Sequence, residues 1–259
     1  MTVVPDCIDG LQLETHDDGV ATVTIMRGPN NFLSPTLTGG LADLLHALAG
    51  DGTTRAVVLA TEGKHFCAGA DFKGEMAEPG APERLYGQVS RLLRTELPIV
   101  AAVQGAAIGG GVGLALVGDF RVATESTRFA CNFSRLGFHH GFGLTVTLPN
   151  VVGHHRATDL LYTGRTVLGP EALAIGLCDR LVPADELLAA AHDKAAELAA
   201  AAPLAVRSIR ATMRGDLADR VDLATPHELA EQDRLKRTAD FREGVRASAE
   251  RRPPVFVGK

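Results

Sequence analysis

The chain has 259 residues, 46% of them hydrophobic and 22% charged, which is ample for a sizeable core in one large α/β domain or two small ones. A net charge of −5 and a pI near 6.0 argue against nucleic acid as the main partner. Its four cysteines, Cys7, Cys67, Cys131 and Cys178, are scattered with no C-x-x-C pair, which points away from a disulfide framework or a zinc site.

At the start, Met1 to Asp6 shows no basic region followed by an apolar core, and no apolar run reaches membrane-spanning length. The cytoplasm is therefore the expected location. Leu11 to Glu14 and Val20 to Met26 alternate as strands around Asp17-Asp18-Gly19, a hairpin signal. Pro35 to Ala49 reads as an amphipathic helix with Leu37, Leu41, Leu44, Leu45 and Leu48 on one stripe. Strands then alternate with helices, which favours a mostly parallel sheet. Pro79, Gly80 and Pro82 break Glu75 to Arg84, so a mobile loop is expected before a helix ending near Glu96. Beyond Asp185 the chain turns Ala-rich and helical over Leu187 to Ala201 and Leu204 to Arg214, and Thr225-Pro226 looks like the N-cap and first residue of a further helix. The predicted organisation is a core over 1–184 and a helical subdomain for subunit contacts over 185–259.

Two segments carry the chemistry: His65-Phe66-Cys67-Ala68-Gly69-Ala70-Asp71 and Gly105-Ala106-Ala107-Ile108-Gly109-Gly110-Gly111-Val112-Gly113. Each follows a predicted buried strand, Ala56 to Ala60 and Ile99 to Val103, and each exposes backbone N–H groups where glycine and alanine replace larger side chains. A backbone amide approaches a ligand closely only where no bulky side chain intervenes. Facing each other, the loops would form an oxyanion hole from the Ala70 and Gly110 N–H groups, with the following helix N-terminus adding positive charge. The glycines equally suit tight strand-to-helix turns. They do not fit the dinucleotide fingerprint, no Gly-Lys-Ser/Thr follows, and there is no G-x-S-x-G elbow.

These two loops, with Met26-Arg27-Gly28-Pro29-Asn30-Asn31, Pro98 to Gly105, Gly118-Asp119-Phe120-Arg121-Val122-Ala123, Leu161 to Arg165 and Phe241-Arg242-Glu243-Gly244-Val245, resemble the crotonase superfamily, also called the enoyl-CoA hydratase/isomerase family. The resemblance spans nearly the whole chain. It implies a spiral of ββα units with a C-terminal helical subdomain, an acyl-CoA substrate whose thioester carbonyl sits in the oxyanion hole, and a homotrimer or dimer of trimers. CoA enters as part of the substrate, with no separate cofactor, metal or membrane partner. Arg27 and Lys73 then fall where CoA contacts are expected, with Cys67, Ala68, Gly69, Asp71, Gly109 and Gly113 along the same groove.

The chain departs from its best-known relatives at the acid–base positions. Where enoyl-CoA hydratases carry two glutamates, this sequence has Gly113 and Phe133, and the third acidic position used by dienoyl-CoA isomerases falls on Gly141. The two-glutamate addition of water is not expected. His140, in Phe138-His139-His140-Gly141-Phe142-Gly143, falls where a related decarboxylase has a functional tyrosine, and is the candidate proton carrier. His139 is the second candidate, and for both histidines a capping role before the helix over 144–152 is the alternative. Phe133, Phe138 and Phe142, with Phe129, suggest a hydrophobic acyl pocket. Asp71 and Asp119 read as hydrogen-bond anchors. His65 is expected in solvent, His154-His155 makes no metal site by spacing alone, and Arg251 to Phe256 is a further candidate CoA contact. The functional expectation is isomerisation, hydration or dehydration by a non-standard base, or C–C cleavage. The alternative is a non-catalytic acyl-CoA binder or scaffold.

Overall fold

The computed structural model describes residues 7–71 and 74–259. In chain order the elements are β1 (Cys7–Ile8), β2 (Leu11–Thr15), β3 (Val20–Ile25), α1 (Pro35–Gly50), β4 (Ala56–Thr61), α2 (Ala81–Leu93), β5 (Ile99–Val103), β6 (Ala106–Ile108), α3 (Gly110–Ala115), β7 (Phe120–Ala123), β8 (Arg128–Ala130), α4 (Leu144–Val152), α5 (His154–Thr163), β9 (Thr166–Leu168), α6 (Gly169–Ala174), β10 (Arg180–Leu181), α7 (Leu187–Ala199), α8 (Pro203–Arg214), α9 (Leu217–Leu235) and α10 (Ala239–Glu250). Among the described residues the strands form two sheets, ordered β1-β2-β3-β4-β5-β7-β10 and β6-β8-β9. The β2–β3 pair is the antiparallel hairpin signalled by Asp17-Asp18-Gly19, and pairing from β3 through β4, β5 and β7 to β10 is parallel.

Because side chains alternate across a strand, the fully buried strands β4 and β5 feed two cores at once. Val57, Leu59, Ile99, Ala101 and Val103 face the core built with α1 and α2. Val58, Ala60, Val100 and Ala102 face the opposite side, where Leu187, Ala190, Ala191, Ala195 and Ala199 of α7 close the layer. The alanines let α7 lie close on the sheet, so the packing unit continues past residue 185 and includes the first helix of the Ala-rich segment. The helix α9 likewise packs on α2 and α4 and brings its last turns to the cavity described below.

Two local expectations are corrected. Thr225-Pro226 does not open a helix but lies inside α9, where the Thr225 hydroxyl donates to the Val221 carbonyl at 2.8 Å and occupies an acceptor beside the proline. The predicted loop over 75–84 is partly helical: a 3₁₀ turn covers Glu75–Ala77, and α2 begins at Ala81 with Pro82 in its first turn, where the missing N–H costs nothing.

Asp119, the predicted anchor, ties the helical segment to the sheet. Its carboxylate accepts from the Ile99 N–H at 2.8 Å and from the Nε atoms of Arg210 and Arg214, each at 2.9 Å.

Candidate active site

The two glycine-containing loops are bound to each other. Cys67 N–H donates to the Ala106 carbonyl at 3.0 Å, and Ile108 N–H donates to the Cys67 carbonyl at 2.9 Å. A Cβ on Gly111 would lie 2.3 Å from that Cys67 oxygen, so glycine is needed there for the loops to meet. The early Asn30-Asn31 pair holds the arrangement from below: Ala68 N–H donates to the Asn30 carbonyl, and the fully buried Asn31 amide donates to the Glu62 and His65 carbonyls.

Where the loops meet, a cavity of about 370 Å³ opens, and Ala68, Gly69, Ala70, Gly109 and Gly110 form its rim. Gly109 N–H is taken by the Ala130 carbonyl, whereas the N–H groups of Ala70 and Gly110 have no acceptor among the described residues. Phe133, Phe138 and Phe142 line the interior; Phe129 is buried outside it. The sequence did not single out the rest of the wall: Leu33, Met76 and Leu85 on one side, Tyr86, Gln232 and Lys236 on another. These come from the segment before α1, the 3₁₀ turn at Glu75–Ala77, α2 and the end of α9, elements whose convergence depends on tertiary packing.

Several predicted residues stand elsewhere. Gly113 does not reach the cavity, because Phe142, buried with a positive φ of 61°, covers it. Cys67 has its side chain behind the loop, and burial pushes the thiol up to about 12. Arg27 donates to Ser34 Oγ at 2.9 Å and pairs with Asp9 and Glu75, outside the cavity wall. Asp71 follows the rim but is not part of the lining, and Lys73 lies outside the described residues.

His139 and His140, expected over the acyl group, do not line the cavity. The two rings stack on each other with centroids 4.1 Å apart, and Phe133 stands edge-on to His140 at 6.5 Å. His140 Nε2 lies 2.8 Å from Thr145 Oγ1, and the Thr145 hydroxyl is committed to Glu228 Oε1 at 2.5 Å. His140 must therefore donate to Thr145. Glu228, fully buried, also accepts the Gly143 and Thr145 N–H groups at 3.0 Å, so the histidine belongs to a network that fixes the start of α4. Burial, with His139 and His227 adding to it, pushes the His140 imidazole down to about 4. This is the structural alternative that its place before a helix had left open.

At Gly141 the space is already filled. A Cβ there would lie 1.8 Å from the Tyr86 hydroxyl. Among the residues that line the cavity none is Asp, Glu, His or Cys.

The family profile described as enoyl-CoA hydratase/isomerase matches residues 15–259. The chain belongs to the enoyl-CoA hydratase/isomerase family. One similar relative is the 1,2-epoxyphenylacetyl-CoA isomerase of Escherichia coli (strain K12), 32% identical over 253 residues that cover 94% of this chain and 97% of that protein. Among solved structures, an enoyl-CoA hydratase/isomerase from Pseudoalteromonas atlantica T6c superposes with a TM-score of 0.86 at 32% identity, covering 96% of this chain and all of the other. An enoyl-CoA hydratase from Mycobacterium avium subsp. paratuberculosis K-10 gives 0.83 at 29% identity, covering 97% and 100%. The α/β architecture read from the sequence is thus that of the crotonase fold.

Proposed function

We propose that the protein is an enzyme that binds an acyl-CoA thioester with its carbonyl between the Ala70 and Gly110 N–H groups and works through the thioester enolate. The observation that carries this reading is the pair of amide donors without acceptors at the rim of an aromatic-lined cavity. Negative charge developing on the thioester oxygen would be met by both donors, and losing one such donor typically lowers a rate by about 10²–10³. Two backbone donors stabilise this charge directly, so the chemistry draws on no metal, nicotinamide or flavin.

The carboxylate pair that adds water elsewhere in the family has no counterpart at Gly113 and Phe133, so isomerisation or C–C cleavage fits the site better than hydration. The aromatic wall suits a bulky acyl group. Exposed Leu204, Ile209 and Met213 on α8 and Leu223 on α9 support self-association of the kind expected for a trimer. A non-catalytic acyl-CoA binder is favoured by one observation, the lack of any carboxylate or imidazole in the cavity lining. Incubation with a panel of short, long, cyclic and β-keto acyl-CoAs, followed by mass analysis, decides between them. A new product establishes the enzyme; tight binding without turnover across the panel establishes the binder.

A further inference from the structure

One cavity-lining side chain keeps a hydrogen-bond donor that the protein does not use. Tyr86, on α2, is 7% exposed and lines the cavity. Its hydroxyl oxygen accepts from Gln232 Nε2 at 2.8 Å. The Gln232 amide cannot be turned round, because the same Nε2 donates to the His139 carbonyl at 3.1 Å and an amide oxygen there would face another oxygen. A phenol oxygen accepts twice and donates once. Gln232 fills an acceptor position, and the O–H has no acceptor among the described residues.

Burial, reinforced by the Glu228 charge, holds the phenol well above the usual tyrosine range, so it keeps its proton at physiological pH. Phe142 separates this donor from the oxyanion rim. Its ring lies alongside Gly110, where a Cβ would come 3.6 Å from Cδ2, while the preceding residue, Gly141, lies against the phenol, where a Cβ would come 1.8 Å from the hydroxyl. An oxygen that meets Tyr86 therefore lies further along the acyl chain than the thioester carbonyl. Leu33, Met76, Leu85 and Phe138 in the same wall carry no oxygen or nitrogen in their side chains. A ligand without a matching oxygen leaves it buried and unpaired, which is disfavoured.

We propose that Tyr86 determines specificity by donating its proton in a hydrogen bond to an oxygen on the acyl chain, so that the cavity selects oxygenated acyl-CoA thioesters (keto, hydroxyl or ether) over hydrocarbon ones. This rests on the acyl-CoA binding proposed above. The test is calorimetric titration of the purified protein with octanoyl-CoA and with 3-oxo-, 3-hydroxy-, 5-hydroxy- and 8-hydroxyoctanoyl-CoA. At least one oxygenated ligand should bind about tenfold more tightly than octanoyl-CoA. In Tyr86→Phe that ratio should fall to about one. The melting temperature of Tyr86→Phe and its retained affinity for octanoyl-CoA check that the variant is folded, and Tyr86→Met, which also removes the O–H, should give a ratio of about one too. No oxygenated ligand preferred by the wild type, or a preference that survives both substitutions, overturns the assignment. A wild type that binds none of the five thioesters overturns the acyl-CoA reading itself, an outcome distinct from binding all five without preference.

Discussion

A Cβ on Gly113 would lie 2.5 Å from Cδ1 of Phe142. The absence of an acid at 113 and the inward turn of a buried phenylalanine at 142 are therefore one feature, since the ring occupies the path that a longer side chain at 113 would take. Restoring a glutamate by Gly113→Glu should not create a hydratase. It should lower stability by about 1–3 kcal/mol through overpacking, and adding Phe142→Ala should recover part of that loss. Urea denaturation and a crotonyl-CoA hydration assay on both variants check this. Hydration at wild-type stability in Gly113→Glu would show that the ring yields freely.

The His140 network sets an acid limb on stability. The folded protein holds this imidazole down to about 4, whereas the unfolded chain takes up its proton near the ordinary 6.5. The unfolded state binds more protons between those values, so the contribution is fully present above about 6.5 and is lost as pH falls towards 4. Glu228 Oε1 lies 4.0 Å from Nε2, beyond hydrogen-bond reach, and already accepts from the Thr145 N–H and hydroxyl, so it does not hold the proton on the ring. His140→Gln should flatten this part of the curve of melting temperature against pH. A wild type that gains stability on acidification through this range would mean that the ring is charged and paired with Glu228.

From the same geometry we expect a structural rather than a chemical role for His140. His140→Ala should lower the melting temperature, and the folded fraction should keep its turnover to within about threefold, far short of the 10²–10⁴ loss typical of a general acid–base group. Turnover per folded molecule, measured on whichever thioester the substrate panel identifies, separates the two roles.

Asp119 should prove the most sensitive polar residue for folding. Asp119→Asn removes the charge that compensates two guanidinium groups, Arg210 at 8% and Arg214 at 14% side-chain exposure. Leaving buried charges without their partner typically costs about 3–5 kcal/mol. The midpoint of urea unfolding reports it, and an unshifted midpoint would mean that solvent reaches both arginines.

The strands, helices and the two loops at the cavity rim were legible because each is local in sequence. The leucine stripe of α1, the Asp17-Asp18-Gly19 hairpin and the two glycine loops each announce themselves within a short window. Tyr86, Gln232 and Lys236 were not legible, because they reach the cavity only after α2 and α9 pack together, and their spacing on either helix carries no signal. The orientation of His140 was not legible for the same reason, since it depends on Thr145 and on the distant Glu228. Gly113 and Gly141 read simply as missing acids, while the structure shows both sites occupied, by Phe142 and the Tyr86 hydroxyl.

The central claim is that the Ala70 and Gly110 amides polarise a thioester carbonyl, and isotope-edited infrared spectroscopy of a bound acyl-CoA labelled with ¹³C at that carbonyl tests it most directly. Binding to the wild type should move the carbonyl band to lower wavenumber than in water. In Gly110→Pro, which removes the N–H, the shift should shrink markedly; Leu33→Ala is included in this variant and its control because a Cβ at 110 would approach Leu33 Cδ1 to 2.6 Å. A bound carbonyl whose band stays at its solution position in the wild type would contradict the oxyanion assignment outright.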